Sequence, residues 1–344
     1  MLLSICIPTF ERCEHLDKLL LNISNIEKKL LKNIQVCISN NCSKDKTEYV
    51  INNYREKINI KSKIQKTNIG AYSNLIDVLN MAEGDWSLPI GDDDNLGGEF
   101  YELIYILETI SKNTLIFNGT RGFEVNEYIF INFFKNGLIS KNHIKKKVIR
   151  KGLYPFGYIG NYTFPSRLIK KNKNIPKNWF HIWIFLKLLN MKDLKFYSLN
   201  KDIISFKNSG NLFWSIKDRC KINIDKLTML IQLQGEIYNK NFKLFLLTAY
   251  IRELFALGNL KNFIVFRVIS KNKEIKDLIQ LYNGLNKFIF LNKIYIICLS
   301  IIMKIPIKYL IKIINFKNPQ YIEKYLTELK ESKKKSNDGL KRII

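Results

Sequence analysis

The sequence is short of the residues from which zinc and redox centres are built. It has 3 histidines, and its 6 cysteines (Cys6, Cys13, Cys37, Cys42, Cys220 and Cys298) form no C-x-x-C pair and sit beside no histidine cluster. That argues against a zinc site or a redox dithiol and leaves most of the thiols to be read as small buried hydrophobes. Gly/Ser-rich linkers and internal repeats are missing as well. No RRM, helix-turn-helix or zinc-finger pattern accompanies the basic residues. The first residues lack the basic start of a signal peptide and run directly into Leu2-Leu3-Ser4-Ile5-Cys6-Ile7, so a cytosolic location is the expectation. Residues 288–303 are apolar but for Asn292, Lys293 and Ser300, which falls short of the roughly 20 apolar residues of a spanning helix.

What is present describes a folded, basic chain. Hydrophobic residues make up 47% and aromatics 12% of the 344 residues, enough for one large domain or two smaller ones with a packed core. Lys+Arg number 56 against 30 Asp+Glu, a formal net charge of +26, which calls for an anionic partner or a compositional cause. Lys, Ile and Asn are abundant together, as AT-rich coding produces, and the lysines are dispersed, so no nucleic-acid partner is expected.

Along the chain, residues 2–7 form an apolar run stopped by Pro8, the pattern of a strand buried on both faces. Leu16, Leu19, Leu20 and Ile23 lay one stripe along a helix. Ile34, Val36 and Ile38 alternate as a second strand, followed by a polar turn in which Ser43 or Asp45 is placed to cap a helix over residues 49–54. A third strand is predicted at 60–66, then a turn with Gly70 suited to positive φ. Leu75, Val78, Leu79 and Ala82 mark a helix ended by Gly84, and residues 86–90 a fourth strand. Phe100, Leu103, Ile104 and Leu107 give another helix and residues 114–117 another strand. Repeated units of this kind predict a largely parallel sheet with helices on both faces. Beyond Gly119 the pattern loosens. Residues 154–167 read as loops shaping a cleft and 180–189 as a buried helix, and from Asp218 onward the chain reads as helical.

The fourth strand runs into Gly91-Asp92-Asp93-Asp94. Adjacent carboxylates repel, so such a cluster needs a cation or a ring of donors, and a hard divalent cation bridging to a diphosphate suits it. At the carboxyl end of a strand in an open α/β sheet the cluster stands where ligands of such folds bind.

Ile7-Pro8-Thr9-Phe10, Ser43-Lys44-Asp45-Lys46-Thr47, Asn68-Ile69-Gly70 with Asn74, and Ala82-Glu83-Gly84-Asp85-Trp86 leading into Gly91-Asp92-Asp93-Asp94 follow one another over residues 1–120. In that order and spacing they resemble the family 2 glycosyltransferases of the GT-A fold. The GDDD form resembles the subset with abequosyltransferase-like enzymes of bacterial surface polysaccharide synthesis. The resemblance implies an α/β GT-A domain over 1–215, with a donor half (1–120) and an acceptor half (121–215), followed by a helical, basic C-terminal region over 216–344. It implies metal-dependent, inverting transfer of a sugar from a nucleotide-diphosphosugar donor to a saccharide or lipid-linked acceptor, with Mn²⁺ or Mg²⁺ as cofactor. On the same resemblance Pro8, Thr9, Phe10 and Glu11 line the nucleobase and ribose, Asn40 faces the base, and Asn68, Gly70 and Asn74 complete the donor site. Asp92 contacts the ribose or the metal, Asp94 ligates the metal, and Asp93 joins donor binding and catalysis. The metal's part is to neutralise the departing diphosphate.

Two positions depart from that pattern. The family commonly has Asp at the place of Asn40, where an amide leaves the identity of the base open, and its usual Asn after the aromatic is Glu11 here. An inverting enzyme also needs a base for the acceptor hydroxyl. The corresponding stretch, Asn178-Trp179-Phe180-His181-Ile182-Trp183, offers His181 in place of a carboxylate, with Asp193 and Asp202 as further candidates that read more simply as exposed turn residues. Asn208, Asn211 and Trp214 are the acceptor candidates, since aromatic faces stack on sugars. The absent carboxylate keeps a second reading in view, a catalytically inactive nucleotide-sugar-binding protein. Finally, Pro306, Ile307, Leu310, Ile311 and Ile314 oppose Lys304, Lys308 and Lys312 in one helical pattern. Such a helix either packs on the domain or rests peripherally on the anionic inner face of the cytoplasmic membrane.

Overall fold

The structure, a computed structural model, describes residues 1–122, 132–170, 179–206 and 216–254. Two compact units are formed, one of Met1–Leu212 with Gln232–Ala249 and one of Phe213–Ile231 with Tyr250–Ile344. The first holds the whole sheet. Its strands are β1 (Leu3–Thr9), β2 (Ile34–Asn40), β3 (Ile60–Ile64), β4 (Trp86–Pro89), β5 (Asn95–Leu96), β6 (Thr114–Gly122), β7 (Gly137–Leu138), β8 (Tyr162–Pro165) and β9 (Lys195–Phe206). The described helices are α1 (Cys13–Ser24), α2 (Lys28–Leu31), α3 (Thr47–Asn53), α4 (Ala71–Met81), α5 (Phe100–Thr109), α6 (Lys141–Lys151), α7 (Ser166–Lys170), α8 (Phe180–Asn190), α9 (Ile216–Glu236) and α10 (Lys240–Leu254). Among the described residues no helix is long and apolar enough to cross a membrane.

Strand order is β3-β2-β1-β4-β8-β6-β9-β5, with β7 on β9. The first four strands are parallel, as the alternation of strand and helix predicts. Every residue of β2 and all of β1 except Pro8 are buried, which is why β1 reads as an apolar run, while β2 keeps its alternation with Gln35, Cys37 and Ser39 buried as well. Leu16, Leu19, Leu20 and Ile23 of α1 and Phe100, Leu103, Ile104 and Leu107 of α5 join the same core. From β4 onward the sheet is mixed rather than parallel. β8 runs antiparallel to both β4 and β6, β6 is parallel to β9, and β9 is antiparallel to β5 and β7.

Three local expectations are corrected. Residues 154–167 hold the buried strand β8 and not only loops, because Tyr162 and Phe164 insert into the aromatic core around Phe117, Phe156 and Phe185. Asp202 is no exposed turn residue. It lies within β9, its N–H donating to Glu99 Oε2 at 2.8 Å. Gly84 does not end a helix in the left-handed conformation; α4 already stops at Met81 with Ala82 extended. Gly84 is needed for close approach, since a Cβ there would lie 2.7 Å from Leu3 C and Ser4 N. Its N–H donates to Ser4 Oγ at 2.9 Å, and Ser4 Oγ donates to Gln35 Oε1 at 2.9 Å, a buried polar knot tying the starts of β1, β2 and β4 together. Of the described cysteines, Cys6 and Cys37 are buried and Cys13 and Cys42 partly so, all as free thiols.

Crowding at Gly84 predicts that Gly84→Ala lowers unfolding stability by about 1–3 kcal/mol, the usual cost of overpacking. Gly98→Ala, where an added Cβ meets nothing within 4 Å, serves as the control and should be neutral or slightly stabilising. Urea midpoints for the two variants check this, and equal midpoints would remove the close-approach explanation.

Candidate active site

Because β1, β2 and β4 are parallel and in register, with Thr9 opposite Asn40 and Cys6 opposite Pro89, the loops that follow them open at one edge of the sheet. Side chains lace these loops together. Glu11, at φ 51°, donates its N–H to Ser43 Oγ at 2.8 Å. The carboxylate of Asp45 accepts from Cys13 N at 2.9 Å, at the start of α1, and from Thr47 N at 3.1 Å, at the start of α3. The N-cap positions themselves are Lys46 for α3 and Arg12 for α1, neither with a capping side chain, so Asp45 holds the first residue of both helices from outside the cap position, while Ser43 serves the neighbouring loop. Asn41 donates to Asn68 Oδ1 at 2.9 Å and accepts from Ile69 N at 2.9 Å. Gly70, at φ 84°, turns the chain into α4, as its residue type predicts.

Four groups hold the three aspartates, and Asp92 and Asp93 share one of them. Asp92 accepts from Thr9 Oγ1 at 2.8 Å and from Arg12 Nη1 at 3.0 Å. Asp93 accepts from the same Arg12 nitrogen at 3.0 Å. Asp94 accepts through Oδ2 from Gly91 N and from the Tyr158 hydroxyl, each at 2.6 Å. Burial pushes the Asp94 carboxyl up to about 7, against the pull of Tyr158 and Gly91, and its two neighbours' charges add to the rise. Burial also raises Asp92, with Thr9 and Arg12 opposing it. Tyr158 is partly buried, and burial of its hydroxyl together with Asp94 holds that group protonated well above the ordinary range. The neutralising cation that the cluster demands is therefore, in part, Arg12, which sequence reasoning passed over although it stands four residues after Pro8.

A cavity of about 310 Å³ opens beside this cluster, lined by Pro8, Thr9, Phe10, Arg12, Asn41, Asn68, Ala71, Asn74 and Asp92. Of the residues expected around a donor, Pro8, Thr9, Phe10, Asn68, Asn74 and Asp92 meet there. Asn74 is fixed by donating to Ser39 O at 2.8 Å and accepting from Ser39 Oγ at 2.6 Å. Glu11 and Gly70 shape the loops without lining the cavity. Asn40 is a correction. Its amide donates to Glu48 Oε1 at 2.7 Å and accepts from Ser43 N at 2.9 Å, so it braces the loop after β2, and the adjacent Asn41 faces the cavity in its stead. Arg12, Asn41 and Tyr158 are the site residues that sequence reasoning missed; Tyr158 is 64 residues from its carboxylate, and nothing local announces it.

His181 is the second correction. It is 3% exposed in α8, its ring packed with those of Tyr162, Trp179 and Phe180, and its Nε2 lies 2.9 Å from Gly157 O while Nδ1 has no partner. Burial lowers its pKa to about 4. An imidazole so enclosed has no path to an incoming hydroxyl; its contact with Gly157 instead steadies the residue next to Tyr158. The acceptor candidates Asn208, Asn211 and Trp214, and the tail of residues 288–314, lie outside the described residues.

The oxygen donors of the turn are of the type that a hard divalent cation takes. Asp94 fits best, since its Oδ1 accepts no hydrogen bond among the described residues. Both oxygens of Asp92 are already engaged, and among the described residues no group of three or more His, Cys, Asp or Glu is arranged to hold a metal.

Comparison with known proteins agrees with this geometry. Residues 4–186 match the family described as Glycosyl transferase family 2. The chain is 25% identical over 262 residues to the abequosyltransferase RfbV of Salmonella typhimurium, covering 71% of this chain and 78% of that protein. Among solved structures it resembles Staphylococcus aureus TarS 1-349 in complex with UDP-GlcNAc, with a TM-score of 0.63 at 17% identity over 83% of this chain and 80% of that one. It also resembles the mannosyltransferase PcManGT of Pyrobaculum calidifontis in complex with GDP-Man and Mn²⁺, with a TM-score of 0.51 at 11% identity over 88% and 86%. These structures share the GT-A fold.

The raised Asp94 carboxyl has a measurable consequence. In the presence of chelator, folded Asp94 keeps its proton up to about pH 7, whereas the unfolded chain releases it near 3.9. Stability from this group is thus fully present below about pH 4 and is lost as pH rises through about 7, by at most about 4 kcal/mol. Asp94→Asn should remove that decline, and unfolding curves at a series of pH values test it; parallel pH profiles for both proteins would show that Asp94 is not held protonated.

Proposed function

The chain belongs to glycosyl transferase family 2, and on that premise we propose that it moves a sugar, with inversion, from a nucleotide-diphosphosugar to a saccharide or lipid-linked acceptor in surface polysaccharide assembly. The observation that carries this reading is the pairing of the Asp92–Asp94 turn and Arg12 with the adjoining cavity. Kinship with an abequosyltransferase and a fold shared with proteins that hold UDP-GlcNAc, or GDP-Man with Mn²⁺, supports it. The catalytic part is residues 1–215 and the working place is the inner face of the cytoplasmic membrane.

In the reaction the acceptor hydroxyl oxygen attacks the anomeric carbon, the bond to the diphosphate oxygen breaks, and the hydroxyl proton passes to a base. Thr9, Asn41, Asn68 and Asn74 bind and orient the nucleoside in the cavity. Arg12, shared between Asp92 and Asp93, lies where a diphosphate enters and offers it further N–H donors. Asp94, with Asp92 beside it, would hold Mn²⁺ or Mg²⁺, which supplies Lewis-acid neutralisation of the leaving group. The Tyr158 hydroxyl fixes the direction of the Asp94 carboxylate. Asp93 has a side chain 28% exposed against 6% for Asp92; it is the carboxylate with an open approach and our candidate for the proton acceptor.

A panel of nucleotide sugars screened by thermal shift with and without Mn²⁺, followed by donor hydrolysis, tests the reading. A donor should raise the melting temperature more with metal than without, and Asp94→Ala should abolish turnover while leaving the fold intact. Arg12→Gln should weaken donor binding about tenfold to a hundredfold, as expected for a lost charge-assisted bond of about 1.5–3 kcal/mol. Asp93→Asn should lower kcat by about 10²–10⁴ with donor KM little changed; equal losses in both would remove it as base. Near-normal turnover by Asp94→Ala in Mn²⁺ would overturn the metal assignment.

A further inference from the structure

The described surface includes one helix whose charge the donor site does not use. α6 carries Lys141, Lys145, Lys146, Lys147, Arg150 and Lys151 and no acidic residue over its eleven positions. A chain-wide basic bias does not account for that segregation. Ile144 and Val148 bury the inner face, Ser140 accepts from His143 N at 3.2 Å at the start, and Gly152 at φ 77° ends the helix. Three of the cations are engaged. Lys141 donates to Lys192 O at 2.9 Å, Lys145 lies 5.1 Å over the Phe242 ring, and Lys147 lies 4.9 Å over the Phe133 ring. Lys146, Arg150 and Lys151 are exposed and form no ion pair among the described residues.

Large apolar side chains are exposed on the helix and in the segments that flank it. Ile149 is 38% exposed on the helix itself, Tyr154 is 83% exposed just after it, and Leu138 is 70% exposed just before it. Lys146, Ile149 and Arg150 fall at i, i+3 and i+4 and share one face. A polyanion dissolved in water would meet the charges and leave the apolar groups hydrated. An anionic bilayer interface accepts both, with lysine and arginine at the headgroups and isoleucine, leucine and tyrosine among the acyl-chain ends.

We infer that the outer face of α6, with Leu138 and Tyr154, is a docking surface for an anionic lipid bilayer. Its place in the chain gives it use. Tyr154 is four residues, at most about 14 Å of extended chain, from Tyr158, whose hydroxyl touches Asp94. Docking by this face holds the carboxylate turn near the headgroups, where a lipid-linked acceptor presents its sugar. That last step rests on the proposed acceptor chemistry, whereas the binding itself does not.

The test is flotation of the full chain, without donor or metal, on vesicles of phosphatidylcholine alone and of phosphatidylcholine mixed with phosphatidylglycerol. The wild type should float with the anionic vesicles and stay behind with the neutral ones. Lys146→Gln/Arg150→Gln/Lys151→Gln should weaken partition about a hundredfold, equivalent to about 3 kcal/mol over three cations. Ile149→Ser/Tyr154→Ser should weaken it with all charges kept. Lys18→Gln/Lys28→Gln/Lys57→Gln, an equal charge change on exposed residues elsewhere, should leave it intact, and circular dichroism confirms that each variant is folded. Absence of wild-type flotation, full retention by the α6 triple, or equal loss in the distant triple would each overturn the assignment. So would a gel shift with duplex DNA that the α6 triple abolishes, if vesicles do not bind. Loss of flotation with unchanged hydrolysis of a nucleotide sugar in solution would leave the proposed activity standing on its own.

Discussion

The carboxylate turn exists in this fold because Arg12 is bound to it. Asp92 and Asp93 share one guanidinium nitrogen at 3.0 Å on each side, and Asp94 meets the same conflict with a carboxyl that burial raises to about 7, against a tyrosine hydroxyl and a backbone N–H. Both are answers to like-charge repulsion under burial, one by a counter-charge and one by a proton. The two answers differ in what they ask of an arriving ligand. A divalent cation competes with a proton at Asp94, whereas a diphosphate meets in Arg12 a charge that no proton has to leave.

The surroundings make that arrangement stiff. Asp45 is tied to the first turns of α1 and α3 together, so the loops after β1 and β2 are positioned by a single carboxylate set at two helix N-termini. Ser39 and Asn74 fix the start of α4 to β2, and Asn41 and Asn68 close the ring. The cavity is therefore walled by groups whose polar atoms are already committed to one another. Such walls cost little to reorganise when a ligand enters, because they are already arranged before it does.

The legible and illegible parts of this chain divide along physical lines. β1 is visible as an apolar run because it is covered on both faces, β2 by the alternation of Ile34, Val36 and Ile38, and the stripes of α1, α4 and α5 because each helix buries one side only. The mixed half of the sheet is not visible in that way. β8 and β9 carry aromatic and polar residues whose direction is set by partners far along the chain, and no local period distinguishes parallel from antiparallel pairing. At the site, the motif holds Thr9, Asn68, Asn74 and Asp92, which the structure brings to one cavity. It points to Asn40 where Asn41 lines the cavity, because neighbouring residues at a strand end point in opposite directions. It offers His181 as a base because burial by Tyr162, Trp179 and Phe180 is a property of the folded core rather than of the local sequence.

The dipeptide Gly157-Tyr158 reaches both ways, its carbonyl against His181 and its hydroxyl on Asp94. A Cβ on Gly157 would sit 3.2 Å from the ring of Trp179, and the centroid of that ring is 5.8 Å from His181. The indole thus packs against the residue that precedes Tyr158, the donor to Asp94. Indole emission follows local packing and polarity, so a change at Tyr158 that shifts Gly157 is one that the protein's own fluorescence can report.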